Sequence, residues 1–191
     1  MAPHVFVVAV AFGATIVLTG ALHIDGYLDA SDALFASVSP DRRLEIMRDP
    51  CHGTFAIASF AVLALFWAAA LWSIAPARLP LTLAFAGTIV RLGVIVLACY
   101  VPYGRARARV EAFRARPSVS VLAASGVLCA ILGWPLGLAA LGGVACAALA
   151  FIVGVALVPR FGGGLTGDVY GLLITAGEVA TLCVLGLVQA R

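Results

Sequence analysis

Six stretches of about twenty predominantly apolar residues, at roughly 4–22, 54–75, 80–101, 118–134, 135–158 and 169–189, leave this chain few ways to fold. A helix rising 1.5 Å per residue needs about twenty such residues to cross the hydrocarbon core of a bilayer. Backbone amides in hydrocarbon must be bonded within their own segment, so the spans are helices. With 63% of its residues hydrophobic, 11% charged and a mean hydropathy of +1.12, a soluble domain of 191 residues could not hide this surface from water. The expected fold is therefore an all-α, polytopic membrane bundle of about six transmembrane helices, folded as one membrane domain over 1–191. Gly133, Trp134 and Pro135 predict a tight turn between the fourth and fifth spans, with one long helix kinked at Pro135 as the alternative. The first stretch lacks a positive residue ahead of it and runs straight into a polar segment, so it reads as a retained helix rather than a secretory signal.

All twelve positive residues are arginines, and their distribution sets an orientation. Nine lie in segments 23–53, 102–117 and 159–168, two lie on the opposite face (Arg78 and Arg191), and Arg91 falls inside the third span. The positive-inside rule then puts the N-terminus outside and the three arginine-bearing segments in the cytoplasm. A net charge of +3 is accounted for by this asymmetry, and no nucleic-acid partner is expected. The five cysteines are scattered, four of them within apolar spans, as small core residues are.

Six of the nine carboxylates crowd into one segment as Asp25, Asp29, Asp32, Asp41, Glu45 and Asp49. Asp25, Asp29 and Asp32 stand at i, i+4 and i+7, which on a helix puts them on one face. Like charges so placed repel unless something neutralises them, and Mg²⁺ takes oxygen ligands while leaving room for phosphate oxygens. A solvated acidic face is the alternative. In a continuous helix His23 points away from that face.

Two further polar segments follow. Residues 162–168 combine three glycines with Thr166, Gly167 and Asp168, a turn able to set backbone N–H groups against phosphate while the acid holds a metal. Along the helix beyond it, Glu178 sits about 15 Å below Asp168, and an ionisable residue at that depth calls for a partner, for which Arg91 is the candidate. The segment Tyr103-Gly104-Arg105 offers a forked guanidinium suited to phosphate. Acids for metal, arginines for phosphate and a glycine turn on one face suit phosphoryl transfer, which needs charge neutralisation and alignment more than covalent chemistry.

The segment His23-Ile24-Asp25-Gly26-Tyr27-Leu28-Asp29-Ala30-Ser31-Asp32, followed by Arg43-Leu44-Glu45-Ile46-Met47-Arg48-Asp49 and Gly53-Thr54, closely resembles the signature of the cobalamin synthase (adenosylcobinamide-GDP ribazoletransferase) family. That family shows His-x-Asp-Gly-x-x-Asp-x-x-Asp and then Arg-x-x-Ile-Met-x-Asp-Ser-x-x-Gly-Thr. Arg91 with Pro102, Tyr103 and Arg105 is similar to its Arg…Pro-Tyr-x-Arg pattern, and Gly164 through Gly171 to its Gly-x-Thr-Gly-Asp-x-x-Gly motif. The sequence departs from the family at Pro50, His52, Ala33 and Thr175, and it has fewer residues ahead of the first motif than the family usually shows.

The resemblance implies transfer of the adenosylcobinamide-phosphate moiety of adenosylcobinamide-GDP to α-ribazole or its 5′-phosphate, with release of GMP, in a bacterial cytoplasmic (inner) membrane. Asp25, Asp29, Asp32 and Asp168 would hold Mg²⁺, Arg43, Gly53, Tyr103, Arg105, Gly164, Thr166 and Gly167 would bind substrate, and His23 or Asp49 is the candidate base. The expected partners are the two substrates and the lipid bilayer, with a homo-oligomer left open. A CDP-alcohol transferase would carry an Asp-x-x-Asp-Gly-x-x-Ala-Arg pattern, which is absent. A proton- or ion-coupled transporter built on Glu178 and Arg91 would leave the aspartate cluster and the Thr-Gly-Asp turn without a role.

Overall fold

The computed structural model describes residues 3–104 and 117–189, and within them the chain forms eight α-helices and a single isolated backbone bridge. They are α1 (His4–Leu18), α2 (Leu22–Phe35), α3 (Pro40–Ile46), α4 (Thr54–Ser73), α5 (Leu79–Tyr100), α6 (Val119–Gly133), α7 (Ala139–Leu157) and α8 (Gly167–Gln189). Five segments are long and apolar enough to cross a membrane, and α1 with α2 makes a sixth if the pair is one span broken by an 83° bend. The expected all-helical, multi-pass membrane bundle is what forms, with the turn at Trp134–Leu136 dividing the fourth and fifth spans.

The first span differs from its expected extent. It ends at Leu18 rather than near 22, because Gly20 adopts φ +59° and the chain closes a Schellman cap in which the Gly20 N–H donates to Val17 O at 3.0 Å and the Ala21 N–H to Ile16 O at 2.9 Å. Ala21 is also left-handed, at φ +57°, and a new helix starts one residue later. Segment 23–53 accordingly carries α2 and α3, so Asp25, Asp29 and Asp32 do lie on a helix. Ser39 caps α3, accepting from the Arg42 N–H at 3.4 Å, and Pro40 occupies its first turn.

Lipid tails are as apolar as leucine, so membrane helices associate through close packing. The best-packed helix here is α8, more than half buried against α2, α4, α5 and α7. At one end of the bundle Met47, Leu97, Phe161, Leu165, Val169 and Leu173 form a core that ties α8 to the C-terminal end of α5 and to the segments preceding α4 and α8. The motif-bearing segments converge on this end. Towards the other end Val8, Trp67, Leu71, Ile74 and Leu182 join α1, α4 and α8.

Candidate active site

Two glycines bring the first and last motifs together. A Cβ on Gly26 of α2 would lie 3.0 Å from Asp168 Cα and 3.3 Å from Gly171 Cα, and one on Gly171 would lie 3.1 Å from the His23 carbonyl oxygen. The backbones of α2 and α8 thus cross in direct contact, which only residues without side chains permit. Thr175 secures the crossing by donating from Oγ1 to His23 O at 3.1 Å. Asp29 lies one turn beyond Gly26 and Asp168 in the first turn of α8, so the Asp-Gly-x-x-Asp and Thr-Gly-Asp sequences share one corner of the bundle. Asp25 is exposed, while Asp29 and Asp168 are half-buried.

Asp32 is turned into the N-terminus of α4. Its carboxylate accepts from the Gly53 N–H through Oδ2 and from the Ala56 N–H at 3.1 Å through Oδ1, supplying from another helix the cap that α4 lacks. A Cβ on Gly53 would meet both Asp32 oxygens at 2.7 Å, so the glycine there makes room for the carboxylate. Arg43, expected to hold substrate, spends its fork on carbonyls: Nε donates to Ala33 O at 3.0 Å, Nη2 to Ala36 O at 2.9 Å and Nη1 to Arg160 O at 3.4 Å. It closes the C-terminus of α2 and joins it to the turn before α8. Asp49 is exposed, with Oδ1 accepting the Cys51 N–H at 2.9 Å.

The glycine turn pairs with the segment leaving α5. The Gly104 N–H donates to Leu165 O at 2.9 Å and the Leu165 N–H to Pro102 O at 3.0 Å, forming the bridge between Tyr103 and Leu165. A Cβ on Gly164 would sit 2.8 Å from both Gly104 N and Pro102 O. Gly164 therefore serves backbone contact, and the pairing joins the Pro-Tyr and Gly-Leu-Thr-Gly motifs directly. Thr166 is fully buried, and its Oγ1 donates to Asp168 Oδ2 at 3.3 Å. Gly167 opens α8 within 4 Å of the Tyr103 hydroxyl, measured from its ideal Cβ position. Arg105 lies outside the described residues.

At mid-depth Arg91 of α5 forms an ion pair with Glu178 of α8, as the sequence led us to expect, and donates from Nη1 to Gly87 O at 3.0 Å. Nη2 lies 3.4 Å from His23 Nδ1. A guanidinium has only donors to offer, so in this contact Nδ1 is the acceptor. His23, a candidate base, is thereby drawn to this half-buried pair.

Sequence reasoning missed two residues of the polar end. His52, noted there only as a departure from the family pattern, places Nδ1 3.4 Å from Asp29 Oδ1. Arg42 pairs with Glu45 at 2.6 Å, an i,i+3 spacing that was legible, and both line a crevice of about 370 Å³ together with Asp32, Asp49, Gly53 and Phe55. The fit to a metal is partial. Among the described residues no three of His, Cys, Asp and Glu converge as a ligand set, and Asp32 is occupied by amides, so the four aspartates are not a preformed cage. Mg²⁺ at a phosphate site needs only one or two carboxylates, with water and substrate oxygens completing its shell, and Asp29 and Asp168 at the α2–α8 crossing supply hard donors of that kind.

Comparison with known proteins agrees with this arrangement of motifs. Residues 1–186 match the family described as cobalamin-5-phosphate synthase. Proteins named adenosylcobinamide-GDP ribazoletransferase are similar to the chain: one from Deinococcus radiodurans is 39% identical over 94% of this chain and 64% of its own length. One from Stutzerimonas stutzeri is 33% identical over 92% and 72%, and one from Desulfitobacterium hafniense 30% identical over 94% and 73%. The chain thus spans a little under two thirds of the first relative's length. No solved structure matches it. With a match running nearly from end to end, the chain belongs to the cobalamin-5-phosphate synthase family.

Proposed function

We propose that the protein joins the two halves of a cobamide: a ribose hydroxyl of α-ribazole, or of its 5′-phosphate, attacks the cobinamide-linked phosphorus of adenosylcobinamide-GDP. A new phosphorus–oxygen bond forms, the diphosphate bridge breaks, GMP departs with the bridging oxygen, and the hydroxyl proton passes to a base. The observation that carries this reading is the glycine-on-glycine crossing of α2 and α8, which sets the aspartate motif beside Thr166, Gly167 and Asp168. The names of the relatives support the same chemistry.

In this reading Asp29 and Asp168 would hold Mg²⁺, with Asp25 on the open side, and the ion would supply positive charge to offset that building on the oxygen that departs with GMP. Arg105 and Arg42 balance further phosphate charge. Asp32 and Arg43 act by positioning, one fixing α4 and the other fixing α2 against the turn before α8. Asp49 is the base we favour over His23, because it is exposed beside the polar crevice whereas His23 faces Arg91. The arginine asymmetry supports a cytoplasmic position for this end of the bundle, in a bacterial inner membrane.

The test is a mass-spectrometric transfer assay on detergent-purified protein, with and without Mg²⁺. Asp29→Asn is expected to remove more than about 99% of turnover while leaving the melting temperature unchanged, since each 1.36 kcal/mol of transition-state stabilisation lost is about tenfold in rate. Near-wild-type turnover of that variant at saturating Mg²⁺ would overturn the metal assignment. No product from the wild-type protein under any metal condition would overturn the reaction.

A further inference from the structure

The end of α2, α3 and the start of α4 frame the crevice of about 370 Å³. Ala36, Ile46 and Phe55 make part of its lining apolar, while Asp49 and Thr54 bring a carboxylate and a hydroxyl. Phe55, in the first turn of α4, is 54% exposed, and Phe35, the last residue of α2, is 56% exposed. Their rings form a tilted pair, with centroids 6.0 Å apart and planes at 38°. Phe55 thus offers uncovered ring surface to the crevice and is held in place by its neighbour. Asp49 spends Oδ1 on the Cys51 N–H at 2.9 Å, and Oδ2 makes no bond among the described residues.

The segment between α3 and α4 serves two places. Asp49, Cys51 and Gly53 line the crevice, whereas His52 reaches Asp29, with Nδ1 3.4 Å from Oδ1. The crevice and the Asp29 corner therefore share this segment as a common wall. An acyl chain in the crevice would cover the phenylalanines but strand Asp49 and Thr54, and a bare phosphate ion would leave the aromatic surface unused. A nucleoside uses both. Small-molecule sites combine apolar and aromatic lining with a few polar groups that fix orientation, and a base of any sequence stacks on an exposed ring because every base has a π-face. We propose that this crevice is the acceptor subsite, where a nucleoside with a planar, largely apolar base lays that base against Phe55, backed by Phe35, and turns its ribose hydroxyls to Asp49 and Thr54. The inference rests on the reaction proposed above, in which the acceptor is α-ribazole with its benzimidazole base. It adds where the acceptor sits and which side chains select it, and it puts the donor's diphosphate on the Asp29 side of the shared wall.

Cys51 lines the crevice and is exposed, so its alkylation reports occupancy without reference to turnover. The full chain in detergent, with no donor present, is treated with N-ethylmaleimide, and the Cys51 peptide is followed by mass spectrometry. α-Ribazole is expected to slow the labelling of Cys51 several-fold, and ribose at the same concentration to leave it unchanged. Phe55→Leu keeps an apolar side chain for any lipid contact and removes the flat ring, and it is expected to raise the half-protecting concentration of α-ribazole about tenfold. Phe35→Leu is expected to act in the same direction with a smaller effect. A labelling rate indifferent to α-ribazole would overturn the inference, and transfer activity in that same preparation would show that the reaction stands with its acceptor bound elsewhere. Protection of Cys51 by α-ribazole in a protein that forms no product would uphold the subsite and count against the reaction alone. Equal protection by ribose, or wild-type affinity in Phe55→Leu, would remove the aromatic contact and overturn the inference as stated.

Discussion

Substitution of Gly26 by alanine probes the contact on which the candidate site rests. The added methyl carbon would lie 3.0 Å from Asp168 Cα, 3.1 Å from Asp168 O and 3.3 Å from Gly171 Cα. Carbon atoms sit comfortably at about 3.5–4.0 Å, so α2 and α8 must separate by roughly 0.5–1 Å. All three neighbours are backbone atoms, and none can rotate aside. Overpacking of this kind costs about 1–3 kcal/mol, while alanine in place of glycine returns about 1 kcal/mol of helix propensity. The net destabilisation is then about 0–2 kcal/mol, a fall in melting temperature of no more than about 8 °C. Activity suffers more, because a misplacement of about 1 Å between reacting groups costs on the order of a hundredfold in rate. Gly13→Ala in α1 is the matched control, since nothing lies within 4 Å of its Cβ position, and it is expected to leave turnover unchanged and to raise the melting temperature by about 2–4 °C through the propensity gain alone. Melting curves and the mass-spectrometric transfer assay on the two variants decide the matter. Wild-type turnover by Gly26→Ala would refute the claim that this crossing sets the geometry of the site.

Asp32→Ala removes the two amide contacts that begin α4 and is expected to cost about 1–2 kcal/mol, seen as a fall of about 2–8 °C in melting temperature that added Mg²⁺ does not restore. A variant as stable as wild type would rule out the capping role. For the half-buried Arg91–Glu178 pair, Glu178→Gln should lower the melting temperature by leaving Arg91 unpaired, and the further change Arg91→Gln should recover part of the loss. A double-mutant cycle with no coupling between the two positions would contradict the pairing.

How much of this protein the sequence determines follows from which constraints are local. Lipid allows only internally bonded helices, so apolar stretches of the right length announced the bundle and its turns, and the scarcity of acids made their clustering between Asp25 and Asp49 conspicuous. The depth of Glu178 was legible from helical rise, and so was its need for Arg91, the one arginine within a span. Roles that depend on which backbone lies nearby were not legible. Asp32 and Asp29 look alike along the chain, yet the first is consumed by the amides of Gly53 and Ala56 because α4 begins beside it. Arg43 has the charge of a phosphate ligand, but the carbonyls of Ala33, Ala36 and Arg160 reach it first. The glycines of the Gly-Leu-Thr-Gly turn suggested phosphate, and Gly164 proves to accommodate residues 102–104, some sixty positions earlier. Residue type and spacing fix what a side chain is able to bind, whereas the tertiary fold decides which partner is within about 3 Å, and a hydrogen-bonding group already satisfied there has little left to offer a ligand.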